Sequence, residues 1–237
     1  MLGQGTGPVK KIEAILSSCR SSLLAAAFTL IVANLSATAT LAQSAGATAA
    51  DPTAIVQSLI AQATAVLQDP GVPASIRQRK LRALAEADFD FAEMARSALG
   101  YHWRTLTSDQ QRQFVPLFTA FIEDVYLSKL EEYSVKRVRQ DIHGANIAFT
   151  GQTIASPGYV EVHSTVSLAN HPSPVRVDYM LVGHGNVWKI YDIQVDSISV
   201  IANYRTQFTR VINERGYQAL IDALHEKTQQ LGGSIGS

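Results

Sequence analysis

The sequence has almost none of the residues that covalent and redox chemistry rely on. Among 237 residues there is one cysteine, Cys19. It precedes the apolar run of residues 23–33, whereas a lipid-modified cysteine would follow it. If that N-terminal stretch is removed, no thiol remains, and disulfides, thiolate nucleophiles and zinc–thiolate sites are all excluded. Net charge is missing too: 20 Lys+Arg balance 20 Asp+Glu, and only 17% of residues are charged. Phosphate backbones are met by basic faces, so this balance gives no electrostatic ground for a nucleic-acid partner.

Phosphate-loop, dinucleotide-turn and nucleophile-elbow motifs are absent as well. The six histidines, His102, His143, His163, His171, His184 and His225, offer no pair at H-E-x-x-H spacing. The sequence therefore proposes no metal and no cofactor. The run over residues 23–33 is too short to span a bilayer. It follows Lys10, Lys11 and Arg20 and precedes the small residues SATATLAQSAGATAA, which is the order of a secretory signal. Residues 1–42 read as a leader cleaved at Ala42, with Ala39 and Ala47 as rivals. Setting aside Lys10, Lys11, Arg20 and Glu13 leaves 17 basic and 19 acidic residues, still nearly neutral. Residues 43–50 lack periodicity and read as a flexible linker, and residues 232–237 as a disordered tail.

What is present is amphipathic order. Asp51 and Pro52 supply a cap and a first-turn proline, and Ile55, Val56, Leu59, Ile60, Ala63, Val66 and Leu67 share one helical face. Asp69-Pro70-Gly71 ends that helix. A second helix is expected over residues 75–87, with Arg77, Arg79, Lys80 and Arg82 forming a solvated basic face. Residues 88–133 organise the rest: a short helix closed at Gly100, then a long one opened by Thr107 and Gln110 at capping-box spacing. On the long helix Phe114, Leu117, Phe118, Phe121, Ile122, Val125 and Tyr126 recur at steps of three and four, one wide apolar stripe.

Beyond Tyr133 the period changes to two. Val160, Val162, Val166 and Leu168 alternate with Tyr159, Glu161, His163, Thr165 and Ser167. Val175, Val177, Tyr179 and Leu181 alternate with Arg176 and Asp178. Gly183-His184-Gly185-Asn186 turns the chain into a third strand over residues 187–196. A weaker strand is expected over residues 146–154, and residues 134–140 are a further edge candidate. Short connections require antiparallel neighbours, so a curved sheet of four or five strands follows. Ile201, Tyr204, Phe208, Val211 and Ile212 then share a helical face up to Gly216, and Leu220, Ile221 and Leu224 carry a last helix. Helices before and after an antiparallel sheet make an α+β domain, here spanning residues 51–231.

Two stretches carry a resemblance. FDFAEMARSALGYHWRTLTSDQQRQFVPLF, with Tyr126 and Tyr133 beyond it, and the later VIANYRTQF resemble the periplasmic phospholipid-binding proteins of the Mla (maintenance of lipid asymmetry) system, the toluene-tolerance family. The similarity covers residues 51–230. It implies a nuclear-transport-factor-2-like arrangement around a deep apolar cavity, a periplasmic location and a monomeric, non-enzymatic carrier of phospholipid. The partners it implies are an outer-membrane lipoprotein–porin complex and an inner-membrane ATP-driven transporter with a lipid-binding ring. On that basis Phe118, Phe121, Ile122, Val125, Val162, Val166, Tyr179, Leu181, Tyr204 and Phe208 are expected to contact lipid tails, and Arg205 the headgroup.

Two other readings are compatible with the residues. A hopanoid carrier would share the same walls. A cavity isomerase or hydrolase could use Asp178, Tyr179 and Asp192, since an apolar pocket raises a carboxyl pKa. Alternation puts Asp178 and Tyr179 on opposite faces of the sheet, however, and leaves Asp178 as a partner for a neighbouring Lys or Arg. For Asn203, Tyr204 and Arg205 the structural alternative is a surface ion pair and a packed tyrosine.

Overall fold

The computed structural model describes residues 51–132, 146–167 and 173–231. The leader, the linker, the tail, Tyr133, Leu168 and the candidate strand over residues 134–140 lie outside them. The chain divides into two units, one holding Phe91–Lys129 and the chain from Val200 onward, the other holding the described residues up to Asp90 together with Leu130–Ser199. No helix among the described residues is long and apolar enough to cross a membrane.

The sheet unit begins with α1 (Pro52–Gln68) and α2 (Ala74–Asp88). Asp51 caps α1 by accepting from the Thr53 amide at 3.2 Å. The basic face of α2 splits: Arg79 and Lys80 are exposed, but Arg77 turns back to donate to the Val72 carbonyl at 2.7 Å. Five strands follow, β1 (Asn146–Ser156), β2 (Tyr159–Ser167), β3 (Val175–His184), β4 (Val187–Val195) and β5 (Ile198–Ser199). Each pairs antiparallel with its sequence neighbour, in the order β1-β2-β3-β4-β5. Helix α1 packs against α2 and lies on β1 and β2, and α2 reaches β4. Where α2 ends, Phe89 forms a parallel bridge to Ile190.

Three features of the sheet were not in the expected pattern. The described fifth strand is the two-residue β5, reached through Asp196 and Ser197 at φ 46° and 70°. Positive φ at both centres is the backbone of a tight hairpin, normally given to Asn-Gly or Asp-Gly, so the residues Asp-Ser hid it. β3 was expected to bury one face, yet Val175 and every residue from Val177 to Val182 are buried, because β3 is the middle strand. Its Gly183 faces Trp188, whose ring would lie 3.1 Å from an added Cβ; the indole covers backbone that a side chain would otherwise cover.

The helical unit holds α3 (Phe91–Leu99), a 3-10 turn (Gly100–Thr105), α4 (Ser108–Glu132), α5 (Val200–Arg215) and α6 (Tyr217–Gln230). The expected capping box opens α4: the Thr107 amide donates to Gln110 Oε1 at 2.9 Å, and the Gln110 amide donates to Thr107 Oγ1 at 3.2 Å. Pro116 lies inside α4, where it removes one backbone donor from the helix.

Candidate functional site

In the helical unit the aromatic stripe of α4 meets the second sequence motif. Phe121 packs edge-on to Tyr204 with ring centroids 5.6 Å apart, and Phe118 packs edge-on to Phe208 at 6.2 Å. Tyr204 and Phe208 touch each other at 5.7 Å. Phe114 extends the cluster, stacked on Phe118 at 5.8 Å. Phe118, Phe121, Ile122, Tyr204 and Phe208 are buried, while Val125 is half-buried. Edge-to-face pairing of this kind is favoured by the ring quadrupoles and fixes the geometry of an otherwise non-directional contact.

Arg205, one residue along from Tyr204, is exposed, and its Nε donates to the Ser97 carbonyl at 2.6 Å. Its methylenes lie over Gly100, where a Cβ would stand 3.0 Å from Arg205 Cδ and the backbone φ is +57°. Both facts select glycine at the end of α3. Asn203 accepts from Gln207 Nε2 at 3.2 Å. Arg205 thus ties α5 to the end of α3, a structural duty that spacing alone left undecided.

In the sheet unit the expected residues share one face of β2 and β3. Val162 pairs with Tyr179 and Val160 with Leu181, while Val166 pairs with Val175. Val162, Val166, Tyr179 and Leu181 are fully buried. Sequence reasoning passed over Ser164, which lies at an inward position between Val162 and Val166, is fully buried, and donates to the Val177 carbonyl at 2.9 Å. A polar residue at an inward step of a period-two strand was the available signal. Beside it, the Tyr179 hydroxyl has no hydrogen-bond partner among the described residues. Burial holds its pKa far above the ordinary phenol value; the neighbouring Ser164 hydroxyl opposes this and the Asp178 carboxylate adds to it.

The opposite face carries a polar line that chain spacing could not reveal. His163 stands directly across from Asp178, with His163 Nδ1 3.0 Å from Asp178 Oδ1 and Nε2 2.9 Å from Thr153 Oγ1. Arg176 Nε lies 3.1 Å from Asp178 Oδ2. Glu161, His163 and Asp178 offer donor atoms within 4.8 Å of one another. Both oxygens of the buried Asp178 are nevertheless taken, one by the imidazole and one by the guanidinium, which is how a buried carboxylate is normally kept charged. Asp192, the other acid–base candidate, accepts from the Ile193 amide at 2.8 Å and from the Ser199 hydroxyl. The arrangement holds strands together without setting a carboxylate beside Tyr179 on the apolar face.

Comparison with known proteins gives these faces a family. An Haemophilus influenzae protein, the intermembrane phospholipid transport system binding protein MlaC, is 20% identical over 168 residues, 70% of this chain and 72% of that one. A solved structure of a phospholipid-binding protein from Ralstonia solanacearum, in complex with a phospholipid, superposes with a TM-score of 0.62 at 26% identity. The match covers 77% of this chain and 99% of that one. The family described as MlaC protein matches residues 57–226, well over half of the sequence and both of its motifs, and the chain belongs to that family.

Proposed function

We propose that the chain is a carrier that binds phospholipid by its acyl tails and moves it between membranes. The observation that carries this reading is the likeness to the Ralstonia phospholipid complex, at 26% identity over 99% of that protein. The physical need is plain. A phospholipid with roughly 30 tail methylenes exposes apolar surface worth about 24 kcal/mol at ~0.8 kcal/mol per methylene, so it does not cross water unaided at a useful rate. A carrier has only to hide the tails, because the transfer runs from one apolar medium to another. Buried aromatic and aliphatic faces without fixed polar chemistry suit that task.

The residues assigned to tail contact are Phe118, Phe121, Ile122, Val125, Tyr204 and Phe208 in the helical unit, and Val162, Val166, Tyr179 and Leu181 in the sheet unit. Arg205 is assigned to the headgroup. The support is their apolar clustering within each unit, the exposure of Arg205, and the family's chemistry. In this reading residues 1–42 are an export leader, residues 51–231 the lipid-binding domain and the periplasm its location. Its partners are an outer-membrane lipoprotein–porin complex and an inner-membrane ATP-driven transporter with a lipid-binding ring. No bond-making step is assigned to any residue.

The test is extraction of protein purified from cells without detergent, followed by mass spectrometry of the organic phase. The expected result is about one two-tailed phospholipid for each chain. A polycyclic triterpenoid in its place would transfer the cargo to hopanoids, and a folded protein with no lipid at all would sink the carrier reading.

A further inference from the structure

Among the described residues the Tyr179 hydroxyl is a buried donor without an acceptor at hydrogen-bonding geometry, on a face where Val162, Val177 and Leu181 surround it and Ser164 is also polar. Tyr179 has no exposed surface, and among the described residues its Oη meets no partner at hydrogen-bonding geometry. The adjacent Ser164 hydroxyl donates to the Val177 carbonyl at 2.9 Å and keeps its acceptor lone pairs, but it stands outside hydrogen-bonding geometry with Tyr179 Oη. Leaving a buried donor unmade is costly, whereas phenylalanine would fill the same volume without the penalty.

We propose that Tyr179 Oη, beside Ser164 on the apolar face of β2 and β3, donates a hydrogen bond to the ester carbonyl of a bound diacyl lipid. The inference rests on the carrier reading and adds to it a chemical class of cargo: ester-linked rather than ether-linked or purely hydrocarbon lipid. The acceptor has to be neutral. Asp178, the preceding residue, carries a buried carboxylate already engaged by His163 and Arg176. Around Tyr179 the same face offers Val162, Val177 and Leu181 and no cation, so a phosphate placed there would be desolvated beside a like charge. A trapped water would have only Tyr179 Oη and Ser164 Oγ as side-chain partners on this face, the minimum of the two to four that an ordered water wants. An ester carbonyl wants one donor and is joined to a chain that belongs on an apolar wall.

The full-length protein is incubated with vesicles containing equal parts of dioleoylphosphatidylglycerol and its dialkyl ether analogue of the same chain length. Bound lipid is then extracted and the two species are counted by mass spectrometry. Wild type is expected to enrich the ester over the ether about fivefold, the worth of one ordinary hydrogen bond, and Tyr179→Phe to bring the ratio towards one. A wild-type ratio of one overturns the proposal without reference to any variant, and so does an enrichment that Tyr179→Phe leaves unchanged. If wild type takes up neither lipid, the carrier reading itself has failed. If it takes up both equally, only the hydrogen bond has.

Discussion

His102 links the stability of the helical unit to pH. It lies in the 3-10 turn after α3, is 8% exposed, and its Nε2 has no hydrogen-bond partner among the described residues. Burial lowers its pKa below the ordinary 6.5. The unfolded chain therefore takes up a proton, as pH falls below about 6.5, before the folded chain does, and stability is lost over that window. Asp88 has the opposite sign: burial raises its carboxyl pKa, with Lys189 opposing, so its protonation favours the fold. Urea midpoints at pH 7.5 and 5.5 separate the two. The drop in wild type is expected to shrink in His102→Gln, and an equal drop in both proteins would remove His102 as the cause. Arg205 teaches a related lesson. Its motif was legible in the sequence, but the Ser97 carbonyl and the close approach to Gly100 were not, because they depend on how α5 crosses the end of α3.

At the scale of elements, β2 carries the sharpest test of where the tails lie. Val166 is fully buried. In a solid core Val166→Trp would overpack its neighbours, costing about 1–3 kcal/mol. On a face that holds tails, the indole takes up tail volume instead. The expected outcome is less lipid retained per chain, with melting of the delipidated variant close to that of its delipidated parent; lower stability with unchanged lipid would make the position ordinary core. Element types and most boundaries could be read from the sequence wherever the cause is local. The capping box at Thr107 and Gln110, the glycine stop at residue 100 and the Gly185 turn each act within a few residues of themselves. The burial of both faces of β3 could not be read so, since it follows from its central place among five strands. Nor could the pairing of His163 with Asp178, which follows from register. The β4–β5 hairpin was missed for a different reason, its left-handed turn being made by Asp196 and Ser197 in place of glycine.

For the whole molecule, the two units differ in how they are drawn from the chain. The sheet is a meander in which every strand pairs with the one before it, so its contacts close over short distances along the chain, a topology associated with fast folding. Among the described residues the helical unit is assembled from two separated stretches. Phe118 and Phe121 of α4 find Tyr204 and Phe208 of α5 only after the entire sheet has been laid down between them. A chain emerging N-terminus first, from a ribosome or a translocation pore, therefore carries the aromatic stripe without these partner rings until α5 follows. Such a stripe is a target for self-association and for holding chaperones. A chain truncated after Ser199 preserves that moment: it is expected to bind a hydrophobic dye and to aggregate. Supplying residues 200–231 as a separate peptide should suppress both effects, and a truncated chain that stayed dispersed and dark to the dye would show the stripe to be covered earlier. The last helices of the sequence would then act as a built-in signal that synthesis is complete, since Tyr204 and Phe208, the rings that Phe121 and Phe118 meet edge-on, lie beyond Val200.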